Sequence, residues 1–334
     1  MNMHTSSVLL ALSVTIAACA TATVEPQPPE GGPKPATATI VHAFDAASFQ
    51  LPEGLVVREG KAYVGLAPLG TILETGSDGS TRTYATVPPG GRDGYLTGLA
   101  FDAAGNLYAA STRNRPDASA TTPGIYKIPA GGGAVTKPFA SSPKMTFPNG
   151  LAFDDKGLLY VTDSAAGIVF RIAADGAAEE WARGAALEGS VACRSDLPFP
   201  MGANGIVFAR GAAYVLNTSK GSLVKIPVLP DGRAGEPSAV FEDCGYVGLD
   251  GLARDAADGT LYVAQNGLPG RVLSWSEGLG VRPVVDGAPL DGPASLELGV
   301  FGGEKRLLVT SAAFFSSASP AGGARPSLAS IRLP

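Results

Sequence analysis

Histidine is scarce in this chain: 334 residues contain 2, and the first, His4, lies in an N-terminal segment that reads as a leader. Ser-His-Asp and Cys-His devices therefore have only His42 to draw on. Charge is sparse as well, at 16%, with 25 Lys and Arg against 30 Asp and Glu. A net charge of −5 lacks the basic footprint that nucleic acid demands, so no nucleic-acid partner is expected. The sequence has no P-loop, dinucleotide fingerprint, G-x-S-x-G elbow or EF-hand loop. Beyond the leader, no apolar run is long enough to span a bilayer.

Glycine and proline are plentiful, at 44 and 27 residues, and 45% of the chain is hydrophobic. Such a chain folds and turns often, which argues against helix bundles. Its length suggests about two domains, although large all-β folds run longer as one. The apolar run over 8–18 suits a signal h-region and ends in Ile16-Ala17-Ala18-Cys19, which resembles a bacterial lipobox with Cys19 as the lipidated residue. The five residues at its start carry no Lys or Arg, unlike an ordinary n-region. We therefore read 1–19 as a lipoprotein-type signal segment, 20–38 as a Pro-rich tether and 39–334 as the folded part. This places the protein outside the cytoplasm, at the periplasm or cell surface, touching a membrane only through its anchor. There Cys193 and Cys244 are expected to form a disulfide between neighbouring loops, with two separate buried thiols as the alternative.

The chain repeats itself. Units begin at 53, 97, 149, 204, 250 and roughly 297, each with two short apolar runs around a turn and usually a third run after them. Examples are Asn149-Gly150-Leu151-Ala152-Phe153 followed by Leu159-Tyr160-Val161-Thr162, and Asp250-Gly251-Leu252-Ala253 followed by Leu261-Tyr262-Val263-Ala264. Three to four strands in each of six units is the arithmetic of an all-β, six-bladed β-propeller. Segments 39–44 and 328–333 are both strand-like and are expected to complete one blade together, closing the ring. Two three-bladed domains are the alternative, but no linker divides the units. A monomer is expected.

In a propeller, equivalent positions at the head of each unit converge on the central channel. Here they hold Glu53, Thr97, Asn149, Asn204, Asp250 and, in a worn sixth copy without the X-Gly opening, Glu297. Two carboxylates and two amides brought together are costly unless something neutralises them. An all-oxygen donor set favours a hard divalent cation such as Ca²⁺. The plainer alternative is that Asn, Asp and Thr before Gly are blade-entry turn formers, which leaves Glu53 unexplained.

These motifs resemble the family of regucalcin, gluconolactonase and luciferin-regenerating enzyme, and more distantly diisopropyl fluorophosphatase. The resemblance spans about 45–333 and rests on Pro52-Glu53-Gly54, Pro148-Asn149-Gly150-Leu151, Ala203-Asn204-Gly205-Ile206, Leu249-Asp250-Gly251-Leu252 and Phe301-Gly302-Gly303. It implies Glu53, Asn149, Asn204 and Asp250 as ligands of a catalytic divalent cation, usually calcium, with Asp250 doubling as base or nucleophile. Gly54-Leu55-Val56 departs from the Gly-Pro-x-Trp-like segment of the sugar-lactonase members, which leaves the substrate class open. Thr97, Arg113 (or Arg115) and Glu297 are candidate substrate contacts, and the insert over 186–201 is expected to shape the pocket rim.

Two functions follow. One is a calcium-dependent hydrolase of lactones or related esters, acting on a small-molecule substrate. The other is a non-catalytic tethered propeller that binds a ligand or protein on its channel face.

Overall fold

The computed structural model describes residues 36–88, 94–113, 122–193, 197–267, 269–319 and 322–333. Cys19, the leader, nearly all of the tether and Arg115 lie outside them. Among the described residues, no helix is long and apolar enough to cross a membrane.

Six antiparallel sheets form the blades of a β-propeller. From the channel outward, blade 1 holds Pro52–Arg58, Lys61–Leu66, Thr71–Thr75 and Thr81–Thr86. Blade 2 holds Gly94–Phe101, Leu107–Arg113 and Gly124–Ile128. Its following segment crosses over instead, pairing Gly133–Ala134 in parallel with the outer strand of blade 1. Blade 3 comprises Pro148–Phe153, Leu159–Asp163, Ile168–Ile172 and Ala178–Arg183. Blade 4 comprises Ala203–Ala209, Ala212–Asn217, Ser222–Pro227 and Ser238–Glu242. Blade 5 comprises Leu249–Arg254, Leu261–Gln265, Arg271–Ser276 and Gly280–Asp286. Blade 6 takes Pro293–Phe301, Glu304–Ser311 and Ser327–Ile331 from the end of the chain, and its outer strand, Ala38–Ala43, from the start. The ring is thus closed by hydrogen bonds between the two chain ends, as the two strand-like terminal segments predict.

The apolar runs fill the gaps between blades. Each gap holds one cluster: Tyr63, Ile72, Leu96 and Leu107 between blades 1 and 2, for example, and Leu216, Leu223, Leu261 and Val263 between blades 4 and 5. Middle strands are apolar almost throughout because each is covered by a neighbouring blade on both faces.

The X-Gly signature has a packing cause. A Cβ on Gly54 would lie 2.0 Å from the Thr97 carbonyl oxygen, and one on Gly98 would lie 2.2 Å from that of Asn149. The series continues with Gly150 against Asn204, Gly205 against Asp250 and Gly251 against Ala294, at 2.5, 2.4 and 2.6 Å. Five of the six inner strands therefore rest on the carbonyl of the head residue in the next blade, and only glycine fits between them.

This register corrects one expectation. Leu296 pairs with Val309 as Leu55 pairs with Val64, so the head of blade 6 is Ala294-Ser295, not Glu297. The blade-6 inner strand starts earlier than its X-Gly-less sequence suggests, and Glu297 lies three residues further along it.

Cys193 and Cys244 are joined by a disulfide, with Cα atoms 5.2 Å apart and a separation of 51 residues in sequence. It ties the insert between blades 3 and 4 to the short 3-10 turn Cys244–Tyr246 that enters blade 5.

Gly98→Ala should lower stability by about 1–3 kcal/mol, the usual cost of forcing atoms into a packed core. Chemical denaturation checks this, and wild-type stability in that variant would contradict the glycine–carbonyl account.

Candidate metal centre

The convergence brings four of the expected residues to one cavity of about 60 Å³, lined by Glu53, Asn149, Asn204 and Asp250 among others. Their exposures are 7, 5, 4 and 9%, so both carboxylates are almost fully removed from bulk water. Beneath them Leu55, Leu99, Leu151, Ile206, Leu252 and Leu296, one from each blade, give the channel an apolar lining.

A dipeptide at the end of the second strand builds the site in each of blades 3, 4 and 5. Its second member fixes the head residue: the Asn149 amide donates to Ser164 Oγ at 3.1 Å, and the Asn204 amide to Thr218 Oγ1 at 2.9 Å. In blade 5 the roles reverse, and Asn266 Nδ2 donates to Asp250 Oδ2 at 2.9 Å. With their nitrogens engaged, Asn149 and Asn204 have their amide oxygens left as acceptors. The first member clamps the loop that leads into the same blade. The Asp163 carboxylate accepts from the backbone N–H groups of Thr146 and Phe147, at 2.6 and 2.9 Å. Asn217 donates to the Ala186 and Glu188 carbonyls, and Gln265 to those of Gly245 and Val247. Sequence reasoning missed Ser164, Thr218 and Asn266. The signal was present, since each lies 14–16 residues after its head residue and three or fewer before a glycine.

The other candidates divide. Thr97 is 3% exposed and its hydroxyl is bonded to the carbonyls of Pro148, at 2.9 Å, and Ala110, at 3.3 Å. It staples blade 2 to blade 3, which corrects its reading as a substrate contact. Glu297 does line the cavity, half-buried. Arg113 lies instead in a second, larger cleft of about 1040 Å³, together with Pro198, Phe199 and Met201 from the insert. His42 sits on the outer strand of blade 6, its Nδ1 2.9 Å from the Gly79 carbonyl oxygen, so it takes no part in the channel.

Burial pushes the Glu53 carboxyl well above its ordinary range, and the negative charge of Asp250 adds to the shift. Asp250 is pushed up to about 7 by burial, against hydrogen bonds from Asn266 and Asn204 that favour its charged form. Burial also pushes Glu297 up to about 7. Among the described residues no three His, Cys, Asp or Glu side chains form a metal-holding group. The set here is two carboxylates with two amides. Two mutually repelling, desolvated carboxylates beside oriented amide oxygens nevertheless fit a hard divalent cation, because one ion would relieve both the repulsion and the desolvation.

No family model matches the chain, and no curated protein matches it. Solved structures do. A luciferin-regenerating enzyme superposes with a TM-score of 0.61 at 14% identity, over 85% of this chain and 92% of that one. Regucalcin from Agrobacterium tumefaciens, described as a calcium-binding protein, gives 0.61 at 17%, over 89% and 95%. The allergen Mala s 1 of Malassezia sympodialis gives 0.62 at 16%, over 85% and 93%. The resemblance read from the motifs thus holds for the fold.

Both carboxyls of the pair bind protons more readily in the folded chain than in the unfolded one. They therefore favour the metal-free fold below their ordinary pKa near 4; the Asp250 contribution is lost as pH rises towards about 7, and that of Glu53 as pH rises through its own raised pKa. Asp250→Asn removes one of the two charges. In chelator, its Tm advantage over wild type should grow as pH rises through that window and should reverse once calcium is added. Scanning calorimetry measures both effects, and a pH-independent difference would contradict the assignment.

Proposed function

We propose that this protein is an extracytoplasmic, calcium-dependent hydrolase of lactones or related esters. The observation that carries the reading is the buried Glu53–Asp250 pair set beside two amides whose nitrogens are engaged by Ser164 and Thr218. Glu53, Asn149, Asn204 and Asp250 would hold the ion, which when bound supplies polarisation of the substrate carbonyl. Asn149 and Asn204 would orient the ion without adding charge, so the donor set would carry no more negative charge than the two carboxylates supply. Asp250 accepts a proton from water, hydroxide adds to the carbonyl carbon, the ring C–O bond breaks, and the leaving alkoxide recovers the proton. Direct attack by the Asp250 carboxylate, followed by hydrolysis of the acyl ester, uses the same placement. Neither route requires histidine, in keeping with the position of His42 on an outer strand.

The Cys193–Cys244 disulfide supports an oxidising compartment. With the lipobox-like Ile16-Ala17-Ala18-Cys19, it supports export and anchoring through Cys19.

Asp250→Asn and Glu53→Gln should each lower kcat/KM on a hydrolysed lactone by about 100-fold or more while far-UV circular dichroism stays that of a β protein. Chelation should abolish turnover and calcium should restore it. Unchanged turnover in Asp250→Asn would refute its role. Calcium binding without turnover across lactones and aryl esters would instead favour the non-catalytic binding propeller.

A further inference from the structure

The larger cleft differs in chemistry from the channel. Its described lining is aromatic, Met and Pro side chains, with Tyr95, Phe147, Phe199 and Met201 among them, together with Ala165, Ser and Thr hydroxyls and Arg113. No carboxylate or carboxamide is among them. The Phe147 and Phe199 rings pack with centroids 5.1 Å apart, and Tyr95 packs at a 47° tilt against Phe314, 5.8 Å away.

This cleft is built from the same segments as the candidate centre. Phe147 lies two residues before Asn149, and its N–H is held by Asp163 at 2.9 Å. Ala165 follows Ser164, the residue that engages Asn149. Met201 precedes Gly202, whose N–H donates to the Ser164 carbonyl at 2.7 Å. The segments 147–149, 163–165 and 201–204 thus contribute to both the cleft and the centre. A volume of about 1040 Å³ suits a substrate of drug-like size.

We infer that the cleft takes the non-reacting part of the substrate, and that this part is aromatic or branched-aliphatic and not polyhydroxylated. The inference rests on the hydrolase reading for the word substrate, but the binding chemistry stands on the cleft itself. Among the described lining residues, sugar hydroxyls would meet only side-chain hydroxyls and Arg113, and unpaired buried polar groups are costly. Apolar rings, by contrast, gain from contact with Phe147, Phe199 and Tyr95.

The test has two arms on the intact protein. In the first, binding of the neutral fluorophore N-phenyl-1-naphthylamine is titrated against wild type, Phe199→Ser and Tyr95→Ser, with Tm confirming that each variant is folded. In the second, calcium-loaded wild type is assayed with a phenyl-substituted γ-lactone and with D-glucono-δ-lactone. We expect saturable one-to-one binding that either substitution weakens about tenfold or more, and a preference of about 100-fold in kcat/KM for the phenyl lactone. Saturable, substitution-sensitive binding with no turnover of either lactone would remove the hydrolase reading and leave the apolar site standing. Absence of saturable binding, wild-type affinity in both variants, or a preference for the sugar lactone would overturn the inference.

Discussion

The close approach of each inner strand to a carbonyl of the next is the constraint on which everything else depends. Five glycines, Gly54, Gly98, Gly150, Gly205 and Gly251, let the strands come so near that a Cβ would sit 2.0–2.6 Å from the neighbouring oxygen. The residue before each glycine is thereby held at the head of its strand; Glu53, Asn149, Asn204 and Asp250 turn their side chains to the cavity, while Thr97 spends its hydroxyl on neighbouring carbonyls. Where the glycine is replaced, at Ser295, the head residue is Ala294 and blade 6 brings neither a carboxylate nor an amide side chain at that position. Threonines reinforce the same seams: Thr162 Oγ1 donates to the Asn204 carbonyl at 2.6 Å, and Thr310 Oγ1 to that of Glu53 at 2.7 Å.

The site built on this ring is one-sided. Blades 3, 4 and 5 each carry a dipeptide that clamps the incoming loop and braces the head residue: Asp163-Ser164, Asn217-Thr218 and Gln265-Asn266. Blade 1 contributes Glu53, with apolar Leu66-Ala67 at the corresponding place. At the level of the head residues charge is thus concentrated in two carboxylates that burial disfavours, with Glu297 further along blade 6, while the amides between them are held in position by their own hydrogen bonds. Fixed, partly uncompensated donors of this kind are what a divalent cation selects.

Much of this was legible in the sequence because the repeat carries its own geometry. Asn149-Gly150-Leu151 and Asp250-Gly251-Leu252 announce an inner strand, and Glu53, a poor turn former, marks its position as more than a turn. The sixth copy misled because without glycine nothing marks its register, and Glu297 was the nearest acid to the expected place. Thr97 misled for a different reason: its hydroxyl faces a neighbouring carbonyl, and spacing alone does not tell a staple from a ligand. The bracing residues went unseen because they sit on the second strand, where a Ser, Thr or Asn after an apolar run looks like an ordinary strand end. The cleft was foreshadowed only by the insert carrying Phe199 and Met201, since its other wall comes from blades 2 and 3.

The central claim is that this convergence makes one cation site per chain. Isothermal titration of calcium into chelator-stripped protein at a pH above 7 measures it directly. The account predicts one saturating site per chain that is lost in the double variant Glu53→Gln/Asp250→Asn. Absence of calcium binding by wild type, or undiminished binding by the double variant, would contradict it.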